Sequence, residues 1–357
     1  MSRPRVLLVG AGHAHMEAAR QASRFEEAGI DVALVDPGVF RYSGSATAVL
    51  AGALDEAEAS IDPADLMAGA GRFIRDSVEA IDLDAGVARL ASGASEAFDF
   101  VSLNTGSRAV SGGIDAAAAV PVKPIANLAR LRERVLAAGA PLSVAVIGGG
   151  ATGCEVAANL AALVGACEAE HAVTLISDGP LLADWPARGG RLAEKNLRAR
   201  GVTIVRGAAR TVSDDAIELD DGDAIAADIA VLAAGLKAQV PGGIETAAGG
   251  VEVDETLRAM QDRRVFAAGD CAAILGHPRP KLGVFGVRAA PILVDNLIAA
   301  ATGEGALQRY RPQGRWLSIL DMGDGTGLAR YDGVVFDGAP ALWLKRRIDR
   351  GFLDRYR

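Results

Sequence analysis

The chain has 357 residues, half of them hydrophobic and 23% charged, which is a globular composition with material for two or three domains. Lys and Arg number 37 against 45 Asp and Glu, a formal net charge of -8, and this argues against general nucleic-acid binding, because phosphate backbones need a basic face. Three cysteines in no short spacing make neither a disulfide framework nor a zinc site, and with strand pattern starting almost at once the expectation is a reducing, cytoplasmic setting.

In chain order, residues 5–9 (Arg-Val-Leu-Leu-Val) predict a buried strand. The turn Gly10-Ala11-Gly12-His13-Ala14-His15, a helix to about residue 25 and a strand over 31–36 follow. Strand patterns recur over 72–81, 87–90 and 98–104. A helix over 125–138, entered through Pro121 and Pro124, leads to a second unit of the same kind. That unit has a strand over 144–147, the turn Gly148-Gly149-Gly150-Ala151-Thr152-Gly153, a helix to about 164 and a strand over 172–177. Strands over 202–206, 216–219 and 228–233 complete it, and Pro241-Gly242-Gly243 ends it. A strand into Ala268-Gly269-Asp270 and a helix over about 286–301 come next. From Arg311 onward, alternating strand patterns lead to a basic closing helix. Continuous Val/Ile/Leu/Ala strands, each followed by a helix, indicate buried parallel sheets. The predicted fold class is α/β. Two Rossmann-like dinucleotide-binding domains, the second inserted in the first, occupy 1–120 with 241–305 and 121–240, and a small α+β region covers 306–357.

Gly148, Gly150 and Gly153 form a full G-x-G-x-x-G between strand and helix. The first glycine allows the tight turn, the second admits a pyrophosphate to the backbone, and the third lets helix and strand pack closely. Helix amides and dipole then favour the anion, with Thr152 on the first turn. In the first unit Gly10 and Gly12 stand in place but His15 takes the third glycine position, tolerable if its side chain points away. Asp36 closes the second strand of that unit, where a carboxylate meets ribose hydroxyls; the second unit has Ser177 and then Asp178, which leans to NADH over NADPH. Two dinucleotide sites in one chain fit one held flavin, FAD, and one exchangeable nicotinamide, NADH or NADPH.

With Gly269 and Asp270 at a strand-to-helix junction and Thr105-Gly106-Ser107 after the strand over 98–104, the chain resembles the two-dinucleotide-domain flavoproteins of the pyridine nucleotide-disulfide oxidoreductase superfamily. Ala233-Ala234-Gly235 resembles a second copy of the middle motif. The resemblance implies that Asp270 contacts the flavin's ribityl and pyrophosphate region. It also implies that Val284 and Phe285 line its pyrimidine end and that Glu155 faces the flavin–nicotinamide site. Residues 42–48 (Tyr-Ser-Gly-Ser-Ala-Thr-Ala) lack the redox cysteine pair of disulfide reductases, which excludes dithiol chemistry there. Gly12-His13-Ala14-His15, Tyr42-Ser43-Gly44 and residues 344–349 are similar to type II NADH dehydrogenase-like flavoproteins associated with selenophosphate synthase. The stretch 281–288 lacks the glutamines that type II enzymes carry near the quinone.

The implied activity is an NAD(P)H dehydrogenase passing electrons through FAD to a quinone or similar acceptor. Two alternatives stand beside it: a sulfide- or selenide-oxidising flavoprotein using Cys154, Cys167 or Cys271, and a flavin redox sensor of low turnover. Glu155 is the expected catalytic residue, a carboxylate at a helix start that positions nicotinamide or relays a proton. The pair His13-x-His15 on a phosphate turn serves the loop better than a metal. From Trp343 on, Leu344, Ile348 and Phe352 fall at helical spacing, with Leu353 and Tyr356 close by. Lys345, Arg346, Arg347, Arg350, Arg355 and Arg357 outnumber Asp349 and Asp354 there. Such a helix suits an anionic membrane surface, here the cytoplasmic face of the inner membrane, or else packs its stripe on the protein. The oligomeric state is left open.

Overall fold

The computed structural model describes residues 3–247 and 249–357. Arg5–Val9 is the middle of a five-stranded parallel sheet, and its four buried aliphatic residues have strands on both sides. The sheet order is Val265–Ala267, Phe100–Leu103, Arg5–Val9, Asp31–Val35, Arg72–Ile74. The second sheet repeats the plan around Ser143–Ile147, in the order Val120–Pro121, Ile229–Leu232, Ser143–Ile147, Ala172–Ser177, Thr203–Arg206. In each, a glycine turn and a helix follow the central strand: His13–Arg20 in the first, Ala151–Gly165 in the second. The first helix ends at Arg20 and a separate short one, Ala22–Glu27, completes the span expected to run unbroken to about residue 25.

The duplication is larger than the glycine turns alone. Each sheet carries a three-stranded antiparallel appendage, Val78–Asp82 with Val87–Leu90 and Ser95–Ala97 in the first, Ala209–Val212 with Ala216–Leu219 and Ala224–Ala226 in the second. The strand expected over 72–81 is two strands. Asp76 breaks it, its carboxylate accepting from the amides of Ser77 at 2.7 Å and Ser92 at 3.3 Å, a local turn that competes with the ladder. Arg72–Ile74 therefore stays in the first sheet while Val78–Asp82 turns into the appendage.

The chain crosses between the sheets twice, and the crossings meet: Ser107–Ala109 pairs antiparallel with Leu236–Ala238. The first sheet is thus assembled from both flanks of the second. Gly283–Thr302 is long and apolar enough to cross a membrane, with a mean hydropathy of 1.5, but it is the core helix of the first unit. Ala289, Ala290, Leu293, Val294 and Leu297 are buried in the first sheet's core, and Asn296 donates to the carbonyls of Thr256 and Gln308. The tail straddles both halves. Its strands Ser318–Asp321, Gly327–Tyr331 and Val334–Gly338 put Leu320, Met322, Leu328 and Val335 into the second core. Its closing helix, Ala339–Asp354, and the residues after it put Leu353 and Tyr356 into the first.

Candidate active site

The first glycine turn is shaped by backbone contacts that leave no room for side chains. Gly10 has φ +83, and a Cβ on Gly12 would lie 2.4 Å from the Asn104 carbonyl oxygen. Asn104 closes the strand Phe100–Leu103 and is the hub of the turn. Its Oδ1 accepts from Ala14 N at 2.8 Å and His15 N at 3.2 Å, and its Nδ2 donates to the Ala268 carbonyl at 2.7 Å. Ala14, one of the residues of the turn named for the cofactor, gives its amide to Asn104. Asp36 Oδ2 accepts from Ala11 N at 2.7 Å and Oδ1 from Gly38 N at 2.9 Å, which ties the strand end to the turn. Burial raises its pKa against those two amides.

The two histidines part company. His15 does not point away from the turn: its ring is fully buried, with Nδ1 2.7 Å from the Gly10 carbonyl and Nε2 2.8 Å from Ser102 Oγ. Two polar contacts let an imidazole fill the place of the third glycine, and burial lowers its pKa to about 4, so it is neutral. His13 has no side-chain hydrogen bond among the described residues. It sits among Phe40, Tyr42 and Phe352 at ring-centre distances of 5.2, 5.9 and 5.5 Å, beside Gly283 and Gly286 at the start of the core helix. Burial lowers its pKa to about 4 as well, Asp270 opposing.

Asp270 lies on the short turn Gly269–Cys271, and Gly269 has φ +71. Ser107 Oγ donates to its Oδ2 at 2.6 Å and Lys123 Nζ lies 3.1 Å from the same oxygen. Burial works to raise this carboxyl, but Lys123 and Ser107 outweigh it and hold the group below its usual range. Both contacts fall on Oδ2, and among the described residues none falls on Oδ1, so one carboxylate oxygen stays open. Thr105 and Gly106 lie where the first crossing leaves the sheet, and the Gly106 carbonyl accepts from Gln239 N at 3.1 Å. Val284 is half-buried, and the buried Phe285 ring lies 5.6 Å from the Trp316 ring and 5.6 Å from the Arg279 guanidinium.

The second turn is open where the first is tight. Gly148 has φ +122, and a Cβ on Gly153 would lie 1.8 Å from the Gly148 carbonyl oxygen, so both glycines are required by the fold itself. A Cβ on Gly150 would meet nothing within 4 Å. The fold thus leaves the space in front of Gly150 open. Thr152 and Asp178 are exposed beside it, and no side chain caps the helix that starts at Ala151. These features fit a dinucleotide in each turn.

A family profile described as pyridine nucleotide-disulphide oxidoreductase matches residues 4–290. The chain belongs to that family. FAD and NAD(P)H are the family's cofactors, and this oxidoreductase has the parallel-sheet, two-nucleotide fold that goes with them. The chain is 31% identical over 170 residues to a nitric oxide reductase FlRd-NAD(+) reductase of Klebsiella pneumoniae; the match covers 44% of this chain and 42% of that protein, less than half its length. Two solved structures share the fold. NDH2 from Plasmodium falciparum in complex with NADH superposes with TM-score 0.81 at 14% identity, covering 99% of this chain and 97% of the other. The sulfide:quinone oxidoreductase of Aquifex aeolicus gives 0.78 at 17%, covering 99% and 91%.

The oxidoreductase has a third polar centre where its two nucleotide units and its tail meet. Glu155, two residues after the second turn, accepts from the Asp321 amide at 2.8 Å. Burial raises its pKa, against the nearby Lys345 ammonium. Lys345 is turned inward from the closing helix, bonded to the Gly44 carbonyl and, at 2.9 Å, to Asp349 Oδ2. Burial disfavours its charge, but Glu155 and Asp349 outweigh that and hold its pKa up. Tyr42 donates to Asp349 Oδ1 at 3.1 Å and stacks on Phe352 at 4.3 Å. Glu155, Lys345, Asp349 and Tyr42 thus form one buried acid–base set drawn from three distant segments. Sequence reasoning named Glu155 and Tyr42, counted Lys345 and Asp349 only as charges of an exposed helix, and passed over Asn104 and Lys123. The i, i+4 spacing of Lys345 and Asp349 was the available signal.

The thiols stand apart from this chemistry. Cys154 is fully buried, its thiol pushed up to about 12 by burial, and Cys271 lies between the Leu103 and Ala268 carbonyls, also raised by burial. Cys167 sits at the far end of the Ala151–Gly165 helix, its Sγ on the Leu163 carbonyl. A nucleophilic thiolate needs an accessible, electropositive setting, and neither Cys154 nor Cys271 has one.

Proposed function

We propose that this chain is an FAD-dependent NAD(P)H dehydrogenase whose electrons leave to a quinone or a similar small acceptor. The observation that carries the reading is the buried set Glu155, Lys345, Asp349 and Tyr42, placed where the two nucleotide units and the tail converge. Reducing a quinone consumes two protons along with two electrons, and a carboxyl with a raised pKa in the field of a held ammonium is suited to keep and pass a proton. FAD, held by the first turn with Asp36 and Asp270, supplies the redox step itself. The chain's own part is to present nicotinamide from the Gly148–Gly153 turn, exclude water and move protons through Glu155. The motif similarity to flavoproteins associated with selenophosphate synthase supports the same cofactor pair. The buried thiols weigh against a sulfide- or selenide-oxidising route.

The tail supports docking to a membrane, with Trp343 and Ile348 of the predicted apolar side left exposed and Phe352 turned to packing. Leu353, Tyr356 and Lys345 point inward and Phe352 stacks on Tyr42, so the C-terminal end of the stripe is spent on packing while Ile348 stays exposed. The outward residues are Trp343 and Val334, 65% and 64% exposed, with Tyr331, Phe336 and Ile348. Arg347 lies 5.9 Å over the Trp343 ring, and Arg346 and Arg350 are exposed beside it. Exposed apolar side chains with arginines beside them fit the surface of an anionic bilayer, where a lipid quinone is met.

The test is anaerobic reduction of the purified protein by NADH, NADPH or sulfide, followed by a quinone, with the flavin spectrum recorded throughout. Rapid bleaching by a nicotinamide and rapid recovery with quinone is the expected result. Bleaching by sulfide alone points to the thiol route, and bleaching without recovery to a sensor.

A further inference from the structure

The turn that carries Asp270 is surrounded by more positive charge than it needs. Lys123 reaches its carboxylate from the segment entering the second sheet. Lys281 donates to two carbonyls, those of Asp270 at 2.5 Å and Gly249 at 2.8 Å. Arg279 donates to the Gly269 carbonyl at 3.2 Å and lies 5.6 Å over the Phe285 ring. Among the described residues only Lys123 has an acidic partner within ion-pair distance, and that partner is Asp270. The other groups facing this turn include Cys271, Tyr310 and His13, all uncharged near neutrality, and Glu252 and His277, the latter 3.0 Å from Glu255, line the open cavity of about 340 Å³ outside it. Three cations thus enclose one carboxylate in a half-buried place. Burial lowers the pKa of both Arg279 and Lys281, and Asp270 offsets this only in part.

Charge counting supplies the missing anion. Transfer of a hydride from a dihydronicotinamide to neutral, oxidised flavin delivers two electrons and one proton. The ring system therefore gains one negative charge, and neutrality returns only if a second proton is taken from solvent. A fixed excess of positive charge beside the flavin favours the anion over that second proton and raises the reduction potential.

We propose that Lys123, Arg279 and Lys281 form a cationic bracket around the Asp270 turn that tunes the bound flavin, raising its potential and keeping its reduced form anionic. This rests on the reading that Asp270 contacts FAD. The three are positioning residues, acting through the field and through the turn they cap.

The experiment is equilibrium reduction of the holoprotein against dyes of known potential, between about pH 6 and pH 8, where His13 and His15 stay neutral. One proton per two electrons gives a slope of about 30 mV per pH unit, and two protons give twice that. The wild-type protein is expected to show the smaller slope. Arg279→Gln and Lys281→Gln are each expected to lower the reduction equilibrium about tenfold, or about 30 mV. Lys281→Arg, which keeps the charge, is expected to hold the wild-type potential. A two-proton slope in the wild type overturns the proposal without needing any variant to fold. Unchanged potentials in both Gln variants overturn it too, whatever the wild-type slope. A protein that binds no FAD overturns the cofactor reading instead, and the two failures are told apart by the flavin absorbance before any reductant is added.

Discussion

His15 and Glu155 show how one side chain can be structural or reactive according to what surrounds it. His15 is neutral because it is buried with both ring nitrogens occupied. Its folded pKa of about 4 lies below the unfolded value of about 6.5, so the unfolded chain binds more protons between the two. Stability conferred by keeping it neutral is therefore present above about pH 6.5 and lost as pH falls toward 4, at up to about 1.4 kcal/mol per pH unit. His13 adds to this with the same sign. Urea unfolding of the apoprotein at pH 5 and 7 is expected to show this loss, and His15→Gln a shallower one from a lower starting stability. Glu155 is the opposite case, a carboxyl with a raised pKa whose neighbours are ionisable. Glu155→Gln is expected to leave flavin reduction by nicotinamide within a few-fold of wild type. Quinone-dependent reoxidation should slow roughly a hundredfold, the scale of a lost general acid. Stopped-flow measurement of the two half-reactions decides, and equal wild-type rates in both would remove the residue from the mechanism.

At the scale of the element, the second glycine turn separates what folding demands from what the ligand demands. A Cβ on Gly153 meets the Gly148 carbonyl at 1.8 Å, a contact that must displace backbone, while a Cβ on Gly150 meets only open space. Gly153→Ala is expected to cost several kcal/mol, in the upper range for a single substitution. Gly150→Ala should fold and hold FAD normally, with thermal midpoint unchanged, yet raise the KM for NAD(P)H about tenfold or more, because the methyl occupies the approach of the pyrophosphate. Calorimetry and steady-state kinetics on the two variants suffice. A normal KM for Gly150→Ala would place the nucleotide elsewhere.

Across the whole molecule, the closing helix belongs to the core as much as to the surface. Phe352, Leu353 and Tyr356 pack on the first unit, and the Tyr356 hydroxyl donates to Glu17 at 3.1 Å. At roughly 1.5–3 kcal/mol per fully buried large apolar side chain, removing all three costs on the order of 5 kcal/mol, comparable to the whole stability of many domains. A chain ending before Trp343 is expected to unfold or lose flavin, so truncation cannot report on membrane binding alone. Trp343→Glu with Ile348→Glu is the cleaner probe, since both residues point outward. The full chain is expected to co-sediment with anionic vesicles at low salt and to release at high salt, where charges are screened. The double variant should bind about tenfold more weakly while keeping its flavin. Equal binding by both would move the docking face elsewhere.

The two βαβ units, their order and the inserted arrangement were legible in the sequence, because glycine turns and continuous apolar strands are local patterns with a local physical cause. So were Gly12, Asp36, Gly150 and Asp270, whose spacing from a strand end defines where they stand. The tail was read by the same local rule and there the rule was insufficient. Helical periodicity marks which residues share a face, but a stripe of Leu344, Ile348 and Phe352 does not say whether protein or lipid covers it. Tertiary packing turned the helix so that Lys345 and Asp349 face inward and pair with each other, with the Glu155 charge near Lys345 and a Tyr42 hydrogen bond to Asp349 offsetting the cost of burial. Asn104 and Lys123 were silent for a related reason. Their partners, Ala14 and Ala268 for one and Asp270 for the other, lie far away in the chain, and only folding brings such groups within hydrogen-bond reach.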